Sequence, residues 1–234
     1  MCVNYLAVVD DRRYEAAFGV KPPSEQLPGE LLPKYRGSIV RRAAEAHGFE
    51  RESLSGTWGL LPWFAKTPKI DYNTVNARSD RVAAAPSYKG PWARGQRCIV
   101  PMQAFFEPNW ESGVHVRWRF ERRDGEPLGV AGFWERWHAG QADQILSYTL
   151  LTVNADQHPL FRRMHRPEKE KRMLAVLDPD DYDAWLECPV ATAATMLVPY
   201  PADRFVDRAD PKPKTEKRAP ARQENRAPES GTLF

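Results

Sequence analysis

From His115 to Glu121 apolar and charged residues alternate, Val116, Trp118 and Phe120 against Arg117, Arg119 and Glu121. A period of two sends successive side chains to opposite faces, which predicts a half-buried strand. Asp124-Gly125 then reads as a hairpin turn, and Leu128 to Trp137 as the returning partner strand. Arg97-Cys98-Ile99-Val100-Pro101 predicts a short buried strand. Gln144 to Val153 and Arg172 to Leu177 predict two more, and Thr192 to Val198 a last one. Asp178-Pro179 pairs an N-cap residue with proline at the first helical position, opening a helix through Trp185 and Leu186. Ile39 to His47 reads both ways: its alanines favour helix, and its place before Trp58 suits a strand.

Many antiparallel strands with a few short helices predict an α+β fold. The strands are expected as mainly antiparallel β-sheets in a barrel-like or two-sheet arrangement, in a single domain. After Val206 the residues are mostly charged, proline or small and polar until Leu233 and Phe234. Such a stretch buries too little apolar surface to offset its ordering entropy. The expected organisation is therefore a domain over 2–206 and a disordered tail over 207–234.

At 234 residues the chain has room for one substantial core. The net charge of +3 is a small difference between 34 basic and 31 acidic residues, so a polyanion partner requires a local basic groove. Cys2, Cys98 and Cys188 form no Cys-x-x-Cys pair and no zinc-finger spacing, so neither a disulfide framework nor a metal nor another cofactor is called for. Neither a leader nor an eighteen-residue apolar run is visible, and the expected location is a bacterial cytoplasm, away from membranes.

Cys2 changes the chemistry most. Methionine removal is favoured by a small second residue, and it would leave a 1,2-aminothiol with an amine pKa of about 7.7–8.0 and a thiol pKa of about 8.5. An aldehyde can condense with that amine to an imine, and the thiol can then close a thiazolidine ring. Four further places stand out. Asn76-Ala77-Arg78-Ser79-Asp80 packs amide, guanidinium and carboxylate together, and Phe105-Phe106-Glu107-Pro108 sets a carboxylate behind two aromatics, a setting expected to suit proton transfer. His158 to His165 holds two imidazoles in a cationic stretch, and Trp58-Gly59-Leu60-Leu61-Pro62-Trp63-Phe64 suits stacking or packing. Taken singly, each also has a plain structural reading: a turn, a rim carboxylate, a solvated histidine, a core segment.

Taken in order, these motifs resemble the SRAP family, the SOS response-associated peptidase-like proteins that form covalent crosslinks with abasic DNA. The resemblance runs from Cys2 to about Pro201 and includes Met-Cys at the start, Trp-Gly-Leu-Leu-Pro-Trp, Asn-Ala-Arg-Ser-Asp, Arg-Cys-Ile-Val-Pro before Phe-Phe-Glu-Pro, and His165. It implies Cys2 as nucleophile, with Asn76, Glu107 and His165 as the other catalytic residues, and Arg78 along the DNA backbone. Several positions depart from the pattern. Asp80 stands where glutamate is common, Pro108 where tryptophan is usual, and Asn4 where many members carry arginine. His165 is followed by the longer Arg-Pro-Glu-Lys-Glu-Lys-Arg-Met, and the family's early Asn-x-Ala-Pro is not recognisable around Arg36-Gly37-Ser38.

The implied activity is a lyase-like crosslinking of abasic sites in single-stranded DNA, shielding the lesion in the DNA damage response, with self-removal of Met1. Arg78, Arg166 and Arg172 are expected to track phosphates, and Trp63 or Phe64 to stack where the base is missing. The expected state is a monomer, nucleoid-associated on damage. The ending Gly231-Thr232-Leu233-Phe234 faintly resembles peptides that bind a sliding clamp. Two other readings stay open: a cysteine peptidase or N-terminal-nucleophile hydrolase, and a non-covalent single-strand-binding module.

Overall fold

The computed structural model describes residues 2–43, 50–138 and 140–212. The described residues form thirteen strands: β1 (Tyr5–Leu6), β2 (Glu30–Leu31), β3 (Arg36–Arg42), β4 (Arg51–Trp58), β5 (Asn76–Arg78), β6 (Arg97–Met102) and β7 (Ala104–Asn109), followed by β8 (Val116–Arg122), β9 (Leu128–Trp137), β10 (Ile145–Asn154), β11 (Arg172–Leu174), β12 (Val176–Leu177) and β13 (Phe205–Ala209). Four short helices accompany them: α1 (Asp11–Phe18), α2 (Pro86–Ala93), α3 (Tyr182–Glu187) and α4 (Val190–Thr195). The fold is α+β, with two mostly antiparallel sheets in one domain.

The smaller sheet runs β13-β8-β7-β1-β2. In the larger sheet the pairings β10–β4, β4–β3, β3–β6, β6–β9 and β9–β10 return to their starting strand, so five strands close a ring. Closure leaves few free edges, and β9 accordingly buries both of its faces along most of its length. Strand β5 joins β10 in parallel, with Asn76 opposite Leu150.

The two sheets meet through buried aromatics. Phe105 and Phe120 from the smaller sheet stack with Phe161 at 6.1 and 4.4 Å between ring centroids. The hydroxyls of Tyr5 (β1) and Tyr148 (β10) lie 2.6 Å apart across the interface. Any side chain at residue 37 would collide with those two hydroxyls and with Leu31, which accounts for Gly37 on β3.

Three expectations change. The strands at 116–122 and 128–137 exist where predicted, yet they are not partners: β8 pairs with β7 and β13, and β9 with β6, β10 and β12. The turn at Asp124-Gly125 is local, while partner choice is set by which strand can bury its faces. Thr192 to Val198 is not a strand, because α4 spans Val190–Thr195. Its alanines carry the highest helix propensity, and Ala193 packs inward. Strand β13 runs across the expected boundary at residue 206 and pairs through Ala209. The rest of the expected tail, with Leu233 and Phe234, lies outside the described residues. Ile39 to Arg42 belongs to β3, and residues 44–47 of that ambiguous segment also lie outside. No helix among the described residues is long and apolar enough to cross a membrane.

Candidate active site

Cys2 sits just before β1, whose pairing with β7 (Tyr5 opposite Phe105) lays the start of the chain beside Glu107. The amide of Phe106 donates to the carbonyl of Asn4 at 3.1 Å and fixes that register. Cys2 is fully buried, and its thiol donates to the Asn4 carbonyl at 3.2 Å. Burial pushes the thiol up to about 12, with the nearby Glu107 carboxylate as the second cause.

Asn76 opens β5 and reaches the same residue from the other sheet. Its Nδ2 donates to the Cys2 carbonyl at 2.6 Å. Its Oδ1 is buried and has no hydrogen-bond partner among the described residues. A buried amide with an unused acceptor is costly in an ordinary core.

Glu107 is 2% exposed, and its Oε2 lies 3.4 Å from Nε2 of His165. His165 adopts a left-handed backbone with φ of 59°, a conformation uncommon outside glycine. Two contacts hold it there: its amide donates to the Pro108 carbonyl at 2.7 Å, and Met164 bridges to Asn109. The ring's Nε2 also lies 3.3 Å from the Arg172 carbonyl. Both neighbours of Nε2 are acceptors, which places the proton of the neutral ring on that nitrogen. Burial lowers the imidazole's pKa below its ordinary value, against the pull of Glu107. His165 therefore stands as a neutral Nε2–H donor beside a carboxylate, a pairing suited to moving a proton.

Residues 2, 76, 107 and 165 thus converge. A largely apolar cleft of about 280 Å³ opens alongside, bounded by Val3, Leu32, Phe106, Glu107, Pro108 and Arg117. The last of these was not anticipated. The Arg117 guanidinium lies 3.3 Å over the Phe106 ring and donates to Asn4 Oδ1 at 2.9 Å. A cation thus stands beside position 4 although the residue there is asparagine. Its only trace in the sequence is membership of the alternating strand β8. No three His, Cys, Asp or Glu side chains converge as a metal site among the described residues.

The expected DNA contacts divide. Arg78, two residues beyond Asn76, donates to Asp80 at 2.8 Å and to Glu170 at 2.6 Å. Arg172 is buried and spends its donors inside the protein, on the Thr152 carbonyl at 2.6 Å, Thr152 Oγ1 at 3.0 Å and Glu170 at 2.7 Å. That geometry makes Arg172 a brace between β10 and β11 and does not suit the expected phosphate contact. Arg166 lies exposed over the Trp110 ring, 5.0 Å from its centroid. Trp63 and Phe64 meet edge to face on the loop after β4, 65% and 42% exposed.

A family model described as SOS response associated peptidase (SRAP) matches residues 1–209. Among curated proteins, "Abasic site processing protein YobE" of Bacillus subtilis is 28% identical over 151 residues, covering 62% of this chain and 65% of its own length. "Abasic site processing protein HMCES" of Gallus gallus is 31% identical over 217 residues, covering 82% of this chain and 60% of its own. The chain spans just under two thirds of the length of these relatives. A crystal structure of a Bordetella bronchiseptica protein superposes with a TM-score of 0.83 at 40% identity, covering 89% of this chain and 99% of that one. A Bacteroides thetaiotaomicron structure at 19% identity, covering 89% of this chain and 91% of that one, shares the fold with a TM-score of 0.73.

Proposed function

The chain belongs to the SOS response associated peptidase family, and we propose that it processes abasic sites in single-stranded DNA by covalent attachment through Cys2. The relatives named for abasic-site processing support the substrate. The observation that carries the chemistry is Asn76 gripping the Cys2 carbonyl while the buried Glu107–His165 pair stands beside the same residue.

Hydrolysis of the Met1–Cys2 bond first frees the Cys2 amine. An abasic sugar equilibrates between a cyclic hemiacetal and an open aldehyde, and His165 donates a proton to the ring oxygen as it opens. The amine attacks C1′, Glu107 relays protons, and loss of one water leaves an imine. The thiol then adds to the C=N carbon. Its proton passes through Glu107 to the nitrogen, and a thiazolidine forms with no further leaving group.

The amine acts first and sulfur follows, because the thiol can close the ring only on the C=N carbon that the amine has created. Both nucleophilic atoms belong to one residue, so their mutual orientation is built in. The product shields the lesion from strand cleavage.

Mass spectrometry of the protein mixed with an abasic oligonucleotide tests the reading. An adduct equal to the oligonucleotide minus one water is expected, surviving denaturation. Cleaved peptides with no adduct would favour a hydrolase, and binding that is lost on denaturation would favour a plain single-strand binder. Cys2→Ser should yield an imine that borohydride traps, with no stable ring. Adduct from Cys2→Ser as durable as that of the native protein sinks the ring-closure step.

A further inference from the structure

We propose that Cys2 also captures free apolar aldehydes, the medium-chain alkanals, with the hydrocarbon tail seated in the cleft beside Glu107. The capture rests on the attachment chemistry proposed above and extends it to a second class of carbonyl substrate.

Position is the first observation. Val3 follows Cys2 directly, about 3.8 Å along the backbone, and borders the cleft. Glu107, whose carboxylate helps to push the Cys2 thiol up, borders it as well. An aldehyde carbon held at the Cys2 amine therefore has the cleft next to it.

The second observation is what the wall has left to offer. Its polar side chains are already engaged within the protein. Asn4 donates to Glu30 at 2.8 Å and accepts from Arg117 at 2.9 Å. Arg117 also donates to Glu30 at 3.0 Å and to Asp210 at 3.3 Å, and Lys212 pairs with Glu30 at 2.8 Å. His115 stacks on Trp110, and Glu107 stands against His165. Cations held by carboxylates give a phosphate little to bind, so the wall presents mainly hydrocarbon to a ligand. Val3 and Leu32, 49% and 38% exposed, supply aliphatic surface that gains by being covered. Phe106 and Pro108 complete it.

Size is the third. At roughly 30 Å³ for each water-sized group, a cleft of about 280 Å³ holds about nine of them, the bulk of a medium-length alkyl chain. The reaction balances without oxidant or reductant. The amine adds to the aldehyde carbon, one water leaves as the imine forms, and the thiol adds to the C=N carbon while its proton passes to nitrogen.

The test follows stable adduct formation by mass spectrometry, with the full-length protein and either propanal or heptanal. The free peptide Cys-Val-Asn-Tyr supplies the intrinsic reactivity of each aldehyde. A buried methylene is worth about fourfold, and heptanal has four more methylenes than propanal. Heptanal should therefore outpace propanal on the protein by about tenfold or more, after division by the peptide's own ratio. The adduct should equal aldehyde minus one water and map to Cys2. Leu32→Gln, at a partly exposed position, should cut that preference severalfold.

A preference near one, adducts confined to lysines, or an unchanged preference in Leu32→Gln overturns the proposal. Loss of abasic-strand adduct in Leu32→Gln with the heptanal preference intact also overturns it, and gives the cleft to the DNA. Adduct formation by the native protein on an abasic strand is scored in parallel. Abasic adduct without a heptanal preference removes the aldehyde seat and leaves the attachment reading, and a heptanal preference without abasic adduct does the reverse. No stable adduct with either substrate removes both.

Discussion

Asn76 and Arg78 stand two residues apart on β5, yet they belong to opposite kinds of environment. Asn76 enters a buried cluster: its own amide oxygen has no hydrogen-bond partner among the described residues, burial pushes the Cys2 thiol up, and burial lowers the His165 imidazole. Arg78 enters a cluster of full charges saturated by one another, with Asp80, Glu170 and Arg172 linked in one chain of ion pairs. The difference teaches where function can reside. A saturated network holds shape, because every donor is already used. Groups with spare capacity cost stability, and they are what a substrate can engage.

The comparison breaks most decisively at Glu107. Glu107→Gln keeps the shape and removes the proton relay, so crosslinking should slow by about 10²- to 10⁴-fold while the melting temperature stays close to native. Single-turnover gels and calorimetry read the two quantities together. Arg172→Met is the mirror case. It deletes several charge-assisted hydrogen bonds, at a cost of about 2–3 kcal/mol in denaturant unfolding. Its effect on the rate at saturating DNA should be far smaller than that of Glu107→Gln.

The neutral state of His165 gives a pH signature. Its folded pKa is depressed, so the unfolded chain binds the proton more readily. Stability should therefore fall as pH drops below about 6.5, the loss saturating once the folded ring also protonates. His165→Gln should flatten that limb of the curve. Thiol reactivity offers a separate check on burial: iodoacetamide should label the partly exposed Cys188 first and reach buried Cys98, whose thiol burial pushes up, only on unfolding. Peptide mapping by mass would show the order, and early labelling of Cys98 would contradict its burial.

The smallest effect concerns Glu170. Its carboxylate is partly exposed, and Asp80 still pairs with both Arg78 and Arg172, so Glu170→Gln should change stability by less than about 1 kcal/mol. It should at the same time raise affinity for single-stranded DNA by removing one of the two carboxylates that neutralise Arg78. No gain would mean that Arg78 is bracing alone.

Much of this was readable along the chain. The alternation around Trp118 and the run from Leu128 to Trp137 marked real strands, because period-two patterning is a local property. The order of the motifs singled out Cys2, Asn76, Glu107 and His165, and the fold brings these four side chains together. Strand partnership was not, and the expected hairpin between residues 116–122 and 128–137 failed because β9 is a two-sided strand of the ring. Thr192 to Val198 misled because β-branched residues at its ends outweighed the alanines within.

By itself the sequence determined which side chains are available and where most strands run. Only the tertiary structure decided what surrounds each group. It turned Arg172 inward, set Arg117 beside Asn4 and neutralised Arg78. Periodicity is written in neighbours along the chain, whereas desolvation and ion pairing depend on neighbours in space. Cys2 and His165 are joined by more than a hundred and sixty residues of chain, and the closing of two sheets puts both within reach of one carboxylate.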